Sequence, residues 1–277
     1  MAFAYATTNQ LTGLAASAVT VTTGAGPADD TRLYLFDGKL AGQYTLTAGT
    51  TTEVMRFDLG SAKAVCAIAV LNHNIAALGG GTITVRAADD SGFTTGVVTP
   101  KASTTVNTTA PKHKDTALQF ASATKRYWEL TFTHSLSTAL KLGELFFAAS
   151  STQFTRGQID GSGERESFIT ADVQMQFGAS QSLFFAGPIR SKRLKTQDWR
   201  SAERDEALTL WRAVKGPVTP FLWLESHEAT GTAAASEQQD CIFGRLKLPE
   251  FEWSWTDYNL TQTPELIIAS EGRERGA

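Results

Sequence analysis

The sequence is poor in the residue types that usually carry metal and covalent chemistry: 277 residues include only two cysteines, three methionines and four histidines. Cys66 and Cys241 lie far apart, each beside apolar residues, which favours core positions over a disulfide and excludes any CxxC zinc pattern. Both read as small core residues, and synthesis in the cytoplasm follows. None of His73, His113, His134 and His227 belongs to an HExxH motif, so a zinc-hydrolase pattern is absent. Charge is scarce too, at 19% of residues with a net charge of -3, and no basic footprint for nucleic acid exists. No run approaches the roughly 18 apolar residues of a membrane-spanning helix. The opening "MAFAYATTNQLTGLAAS" has neither a basic n-region nor an unbroken apolar h-region, so it is not read as a secretory signal. The glycines of "ALGGGTITV" are not followed by the Lys-Ser/Thr of a phosphate loop, and no G-x-S-x-G elbow occurs. Glu225, Glu228, Glu250 and Glu252 supply carboxylates, but their spacing specifies no glycosidase pair. We expect no catalytic residue and no cofactor.

What the chain does contain is short-strand patterning. In Val54–Leu59, Met55, Phe57 and Leu59 fall on one face and Arg56 and Asp58 on the other, the period of a half-buried strand that Gly60 should end. "AVCAIAVLNHN" is apolar on both faces from 64 to 71 and predicts a central strand. Strands follow in "GGGTITVRAADD", "RYWELTFTH", where Trp128, Leu130 and Phe132 share a face, and "LGELFFAAS". The run "LYLFDG" predicts a short apolar strand turning at Asp37-Gly38; Asp37 reads as a turn residue or as an oxygen donor to a cation. His73, between two asparagines, reads as a strand-end fixture or as a ligand-binding group. The tryptophans read mainly as core or interface anchors. Trp199 and Arg200 are the pair we expect to be exposed to a partner.

Small and polar residues in "ASSTQFTRGQIDGSG" place a domain boundary there, giving domains at 1–150 and 151–277. In the second half one helix is predicted near 201–215, capped by Ser201, striped by Ala207, Leu208, Trp211 and Val214, and stopped by Lys215-Gly216-Pro217. Strands flank it, so the fold class is mainly β: a β-sandwich jelly roll followed by a β-sandwich or open barrel with one packed helix.

Two resemblances attach to these motifs. "LYLFDG", "MRFDLGSAKAVCAIAVLNHN", "GGTITVRAADD", "RYWELTFTH" and "LGELFFA" make residues 30–149 similar to the galactose-binding-like, or discoidin-like, jelly rolls. That resemblance implies ligand loops at one end of the sandwich and, in some members, a structural cation near an early Asp, here Asp37, and a late Glu, here Glu144. "SLFFAGPIRSKRLKTQDWRSAERDEALTLWRAVKGPVTPFLWL" with "CIFGRLKLPEFEWSWTDYNLTQTPELII" resembles the distal and minor tail proteins of long-tailed bacteriophages. It implies a tail-tube-like domain forming a ring, most simply a hexamer, at the distal end of the tail in the virion. The implied partners are other copies of the chain, the tail tube protein, and baseplate hub or tail fibre proteins. A carbohydrate-binding module for a host surface glycan is the alternative.

Overall fold

The computed structural model describes residues 4–23, 30–40, 42–106, 108, 114–154, 163–174, 180–194, 201–224, 241–247, 254–256, 260–262 and 266–270. It is mainly β, as the patterning requires, with one α-helix among these residues. Two compact units emerge: one takes residues 1–153 with 222–241, the other 154–221 with 242–277. Compared with the boundary expected at 150, the first unit also takes 222–241.

The first unit contains β1 (Ala4–Ala6), β2 (Val19–Thr23), β3 (Tyr44–Thr45), β4 (Thr52–Leu71), β5 (Gly81–Ala88), β6 (Val98–Thr105), β7 (Thr116–His134), β8 (Lys141–Leu142), β9 (Glu144–Ala148) and β10 (Thr152–Gln153). Its main sheet runs β2-β4-β7-β5-β6, antiparallel throughout, with β9 added along the second half of β4. Gly60 does not end the strand as the sequence suggested. β4 continues through it, because Gly60 takes a φ of 77° and its N–H donates to Asp58 Oδ1 at 2.8 Å, while the ladder to β7 slips and resumes at Lys63. The 64–71 stretch is central, as expected, held between β7 and β9 and buried at Val65 and from Ala67 to Leu71.

"LYLFDG" is a second departure: Asp30–Leu35 forms a 3-10 helix instead of a strand. Leu33 and Tyr34 stay exposed while the consecutive Leu35 and Phe36 are buried, a pattern that period-2 alternation cannot produce. The core is one cluster in which Phe57, Trp128 and Phe147 meet, with ring centroids at 5.1 Å and 6.1 Å. Cys66 and Cys241 are not joined in a disulfide.

In the second unit, β11 (Gly163–Gln174) and β12 (Ser180–Leu194) form an antiparallel hairpin, longer than the two short strands expected. The register steps over Gly187 and Pro188, which is how a strand accommodates a residue that cannot donate to the ladder. α1 (Ser201–Ala213) lies within the expected 201–215, with Ser201 as its first helical residue rather than its cap. It buries Ala207, Leu210 and Val214, so Leu210 rather than Leu208 or Trp211 centres the apolar stripe. Lys215 and Gly216 then turn left-handed, and the Gly216 N–H closes on the Trp211 carbonyl at 2.8 Å. β13 (Phe221–Leu224) falls in the first unit at residues 222–224, where it pairs with β1. β14 (Cys241–Leu246), β15 (Ser254–Thr256), β16 (Leu260–Gln262) and β17 (Leu266–Ser270) complete the strands, with β17 pairing to both β12 and β14.

Candidate functional site

Alternation decides what the main sheet shows to its two sides. With Met55, Phe57, Trp128 and Leu130 turned into the core, Arg56, Asp58, Tyr127 and Glu129 must face outward. The register then aligns them across strands: Thr20 opposes Arg56, Arg56 opposes Glu129, and Glu129 opposes Arg86. One row therefore carries a carboxylate between two guanidiniums. Glu129 accepts from Arg56 Nε at 2.7 Å and from Arg86 Nη1 at 2.8 Å, and is only 3% exposed. In the next row, Asp58 opposes Tyr127 and accepts two hydrogen bonds from Arg126, at 2.7 Å and 2.8 Å. That fork holds the Asp58 carboxyl below the usual carboxylate range.

A loop between β5 and β6 closes one side of these rows. Asp90 accepts backbone N–H bonds from Gly92, Thr94 and Thr95 and a hydroxyl bond from Thr94, which fixes the loop and lowers the carboxyl's pKa. Phe93, at a φ of 56°, is thereby set over both guanidiniums, 4.7 Å from Arg56 and 5.5 Å from Arg86. Ser17 and Ala18 bound the other side. The result is a groove of about 440 Å³ lined by Ser17, Thr20, Thr22, Arg56, Asp58, Ser91, Phe93 and Tyr127 among others. Its walls are hydroxyls, paired ions and aromatic rings, a lining suited to polar ligands of small-molecule size.

The residues singled out in the sequence fall elsewhere. Asp37 and Glu144 are brought together: the Gly38 N–H donates to Glu144 Oε2 at 3.1 Å and the Lys39 N–H to Asp37 Oδ1 at 2.9 Å. Glu144 is 1% exposed, and burial, reinforced by the like charge of Asp37, pushes its carboxyl up to about 9 against the opposing N–H bonds. These are the two carboxylates that the resemblance implies beside a structural cation, and Glu144, buried near Asp37, is the one whose charge a cation would offset. Asp37 and Glu144 would hold it, and it would neutralise the corner joining the Asp37 turn to β9. No cluster of three or more His, Cys, Asp or Glu exists among the described residues. His73 is buried, with Nε2 2.9 Å from Thr116 Oγ1. Asn72 and Asn74 beside it bond the Leu40 and Ala139 carbonyls at 2.7 Å and 3.0 Å. Trp199 and Arg200 lie outside the described residues, as do His113, His227, Glu225, Glu228, Glu250 and Glu252.

Sequence reasoning placed Arg56 and Asp58 outward but missed the groove. Tyr127 and Glu129 follow the same alternation in "RYWELTF", and Asp90 sits in a recognisable turn. The cross-strand register that assembles them has no local signal.

No protein-family description matches the chain and no curated protein matches it. Among solved structures, about half of the chain is similar to carbohydrate-binding modules. Chitosan-binding module 1 of a chitosanase/glucanase from Paenibacillus sp. IK-5 has 18% identity and a TM-score of 0.38, over 50% of this chain and 97% of that one. The module of AlyQ in complex with 4,5-unsaturated mannuronic acid has 20% identity and a TM-score of 0.38, over 48% and 95%. A pectin-binding module has 12% identity and a TM-score of 0.36, over 47% and 88%.

Proposed function

We propose that the first unit is a non-catalytic glycan-binding domain and that the groove over β2, β4 and β7 is its binding face. The observation that carries this reading is the groove itself: hydroxyl side chains, a bidentate Asp58–Arg126 pair and the Tyr127 ring converge on one cavity whose walls are fixed by the Glu129 and Asp90 networks. Sugars are recognised by paired hydroxyl hydrogen bonds and by stacking on an aromatic face, and pre-formed walls reduce the ordering cost of binding. The resemblance of residues 30–149 to galactose-binding-like jelly rolls supports the same class of function. Probing a glycan array with the full chain tests it. We expect binding that Tyr127→Ala weakens by about tenfold or more. An array with no retained glycan, or binding indifferent to Tyr127→Ala, overturns the reading.

A second role is favoured by the second unit. The tail-protein resemblance implies a strand pair, a single helix and a terminal hairpin; the β11–β12 hairpin and α1 support the first two. On this reading residues 151–277 form a ring-building domain at the distal tip of a phage tail in the virion, and residues 1–150 project outward to present the groove to a host glycan. The ring, a hexamer by that resemblance, would adjoin the tail tube protein and baseplate hub or fibre proteins through a heterologous interface. Light scattering and negative-stain images of the purified chain test this part. Six-membered rings uphold it, a trimer moves the chain to the hub, and a monomer at high concentration removes it.

A further inference from the structure

We infer that the groove takes an acidic glycan and that the Arg56 guanidinium receives its carboxylate, an inference that rests on the glycan-binding reading and names the ligand class. The reason is a charge shared unequally. Glu129 gives one oxygen to each of two guanidiniums, Oε2 to Arg56 Nε and Oε1 to Arg86 Nη1, so a single negative charge answers two positive ones. A guanidinium carries five N–H donors. Arg56 spends Nε on Glu129 and one Nη1 hydrogen on the Ser91 carbonyl at 3.4 Å, and its Nη2 has no hydrogen-bond partner among the described residues. Arg86 spends Nη1 alone. The two arginine side chains are 33% and 38% exposed while that of Glu129 is 3% exposed, so the excess positive charge lies on the solvent side of the row. The Phe93 ring, 4.7 Å from one guanidinium and 5.5 Å from the other, holds both in place through cation–π attraction, which does not neutralise their charge.

The other charges around the groove direct the acid to this row. Asp58 accepts both bonds of the Arg126 fork, one anion to one cation, and Lys125 Nζ lies 2.8 Å from Asp89 Oδ2. Asp90 turns both oxygens onto the N–H groups of Gly92, Thr94 and Thr95 in its own loop. Among these ion pairs only the Arg56–Glu129–Arg86 row has more cations than anions. Of its two arginines, Arg56 lines the groove, with Thr20 opposite it across the ladder to β2. Asp58 lines the groove too, and its side chain is 34% exposed, so it repels a carboxylate and accepts from hydroxyls. A sugar acid is thereby oriented, with its carboxylate toward Arg56 and its hydroxyls toward Asp58. The chemistry recognised is the carboxylate of a sugar, whether a uronate or a sialate supplies it.

Isothermal titration of the full chain tests this with tetragalacturonate and sialyllactose, each set against its neutral counterpart, galactotetraose and lactose. We expect at least one acidic probe to bind at least about tenfold more tightly than its counterpart in low salt, and which of the two binds separates a uronate from a sialate. That affinity should fall by about threefold or more between about 50 and about 500 mM NaCl, because screening weakens attraction between exposed charges. Arg56→Gln should weaken the acidic probe by about tenfold. Arg86→Gln leaves Glu129 to Arg56 alone, so it should weaken the probe by a smaller factor and flatten the salt dependence, while Arg86→Lys, which keeps the charge, should restore most of both. A salt dependence unchanged in a folded Arg86→Gln protein would overturn the shared-charge account. Neutral probes binding as tightly as the acidic ones, or more tightly, would overturn the acid preference and leave the glycan-binding reading standing. Silence of all four probes would overturn the preference as well, and a glycan array with nothing retained would remove the reading beneath it.

Discussion

Glu129 and Glu144 are both buried, at 3% and 1% exposure, and the molecule treats them in opposite ways. Glu129 stands in a cross-strand row between Arg56 and Arg86, so its charge is matched by two guanidiniums at hydrogen-bond distance. Glu144 stands at the start of β9 beside Asp37, receives only backbone N–H bonds, and is pushed up to about 9. Burial alone therefore says nothing about a carboxylate's state; the register of its neighbours does. The first glutamate stiffens the floor of the groove, and the second is a corner at which burial favours the protonated acid.

Breaking the first arrangement should have the larger effect. Glu129→Ala leaves two guanidiniums facing each other beneath Phe93; because they are 33% and 38% exposed, the expected loss is about 2 kcal/mol rather than the larger cost of a fully buried pair. Urea denaturation reads it, and a loss below about 0.5 kcal/mol would mean that the row is ornamental.

The contrasting change at Glu144 should raise stability. Its folded carboxyl titrates above the ordinary value of 4.5, so its contribution is complete below that pH and is lost as pH rises toward about 9. Glu144→Gln should match the parent protein near pH 5 and unfold several degrees higher at pH 8 in EDTA, as scanned by calorimetry across that range. Added calcium should raise the parent and leave the variant unmoved; identical pH profiles for the two proteins would rule out the buried-acid account.

The smallest effect concerns Asp58, whose pKa is lowered chiefly by the Arg126 hydrogen bond. A lowered folded value contributes stability above the ordinary pKa of 3.8 and loses it as pH falls through the folded value. Since both side chains are substantially exposed, Asp58→Asn should cost less than about 1 kcal/mol at pH 7 and make the urea midpoint less sensitive to acid below pH 4. A larger loss at pH 7 would shift Asp58 from a ligand-facing group to a structural one.

Much of the architecture was legible because alternation is local. Met55, Phe57, Trp128, Leu130 and Phe132 declare their buried face from sequence alone, and the same period assigns Arg56 and Asp58 to the outside. The helix end could be read from Gly216 for the same reason, since a C-terminal cap acts within a turn. The 3-10 segment Asp30–Leu35 escaped because four apolar residues in a row carry no period. Gly60 misled because a glycine marks a change of φ, and only pairing with β7 on both sides decides whether the strand stops or bends.

The sequence by itself determined that the chain would be strand-built, where most strands lie and which faces turn inward, since these depend on spacing of a few residues. It also brought Asp37 to notice through its Asp-Gly turn, and Glu144 through resemblance and not through spacing. Only the tertiary structure decided that Glu129 would share two arginines 73 and 43 residues away, that Phe93 would cover them, and that Glu144 would be left beside another acid. Those outcomes depend on strand register, which is set by the packing of the whole sheet and leaves no mark within any one strand.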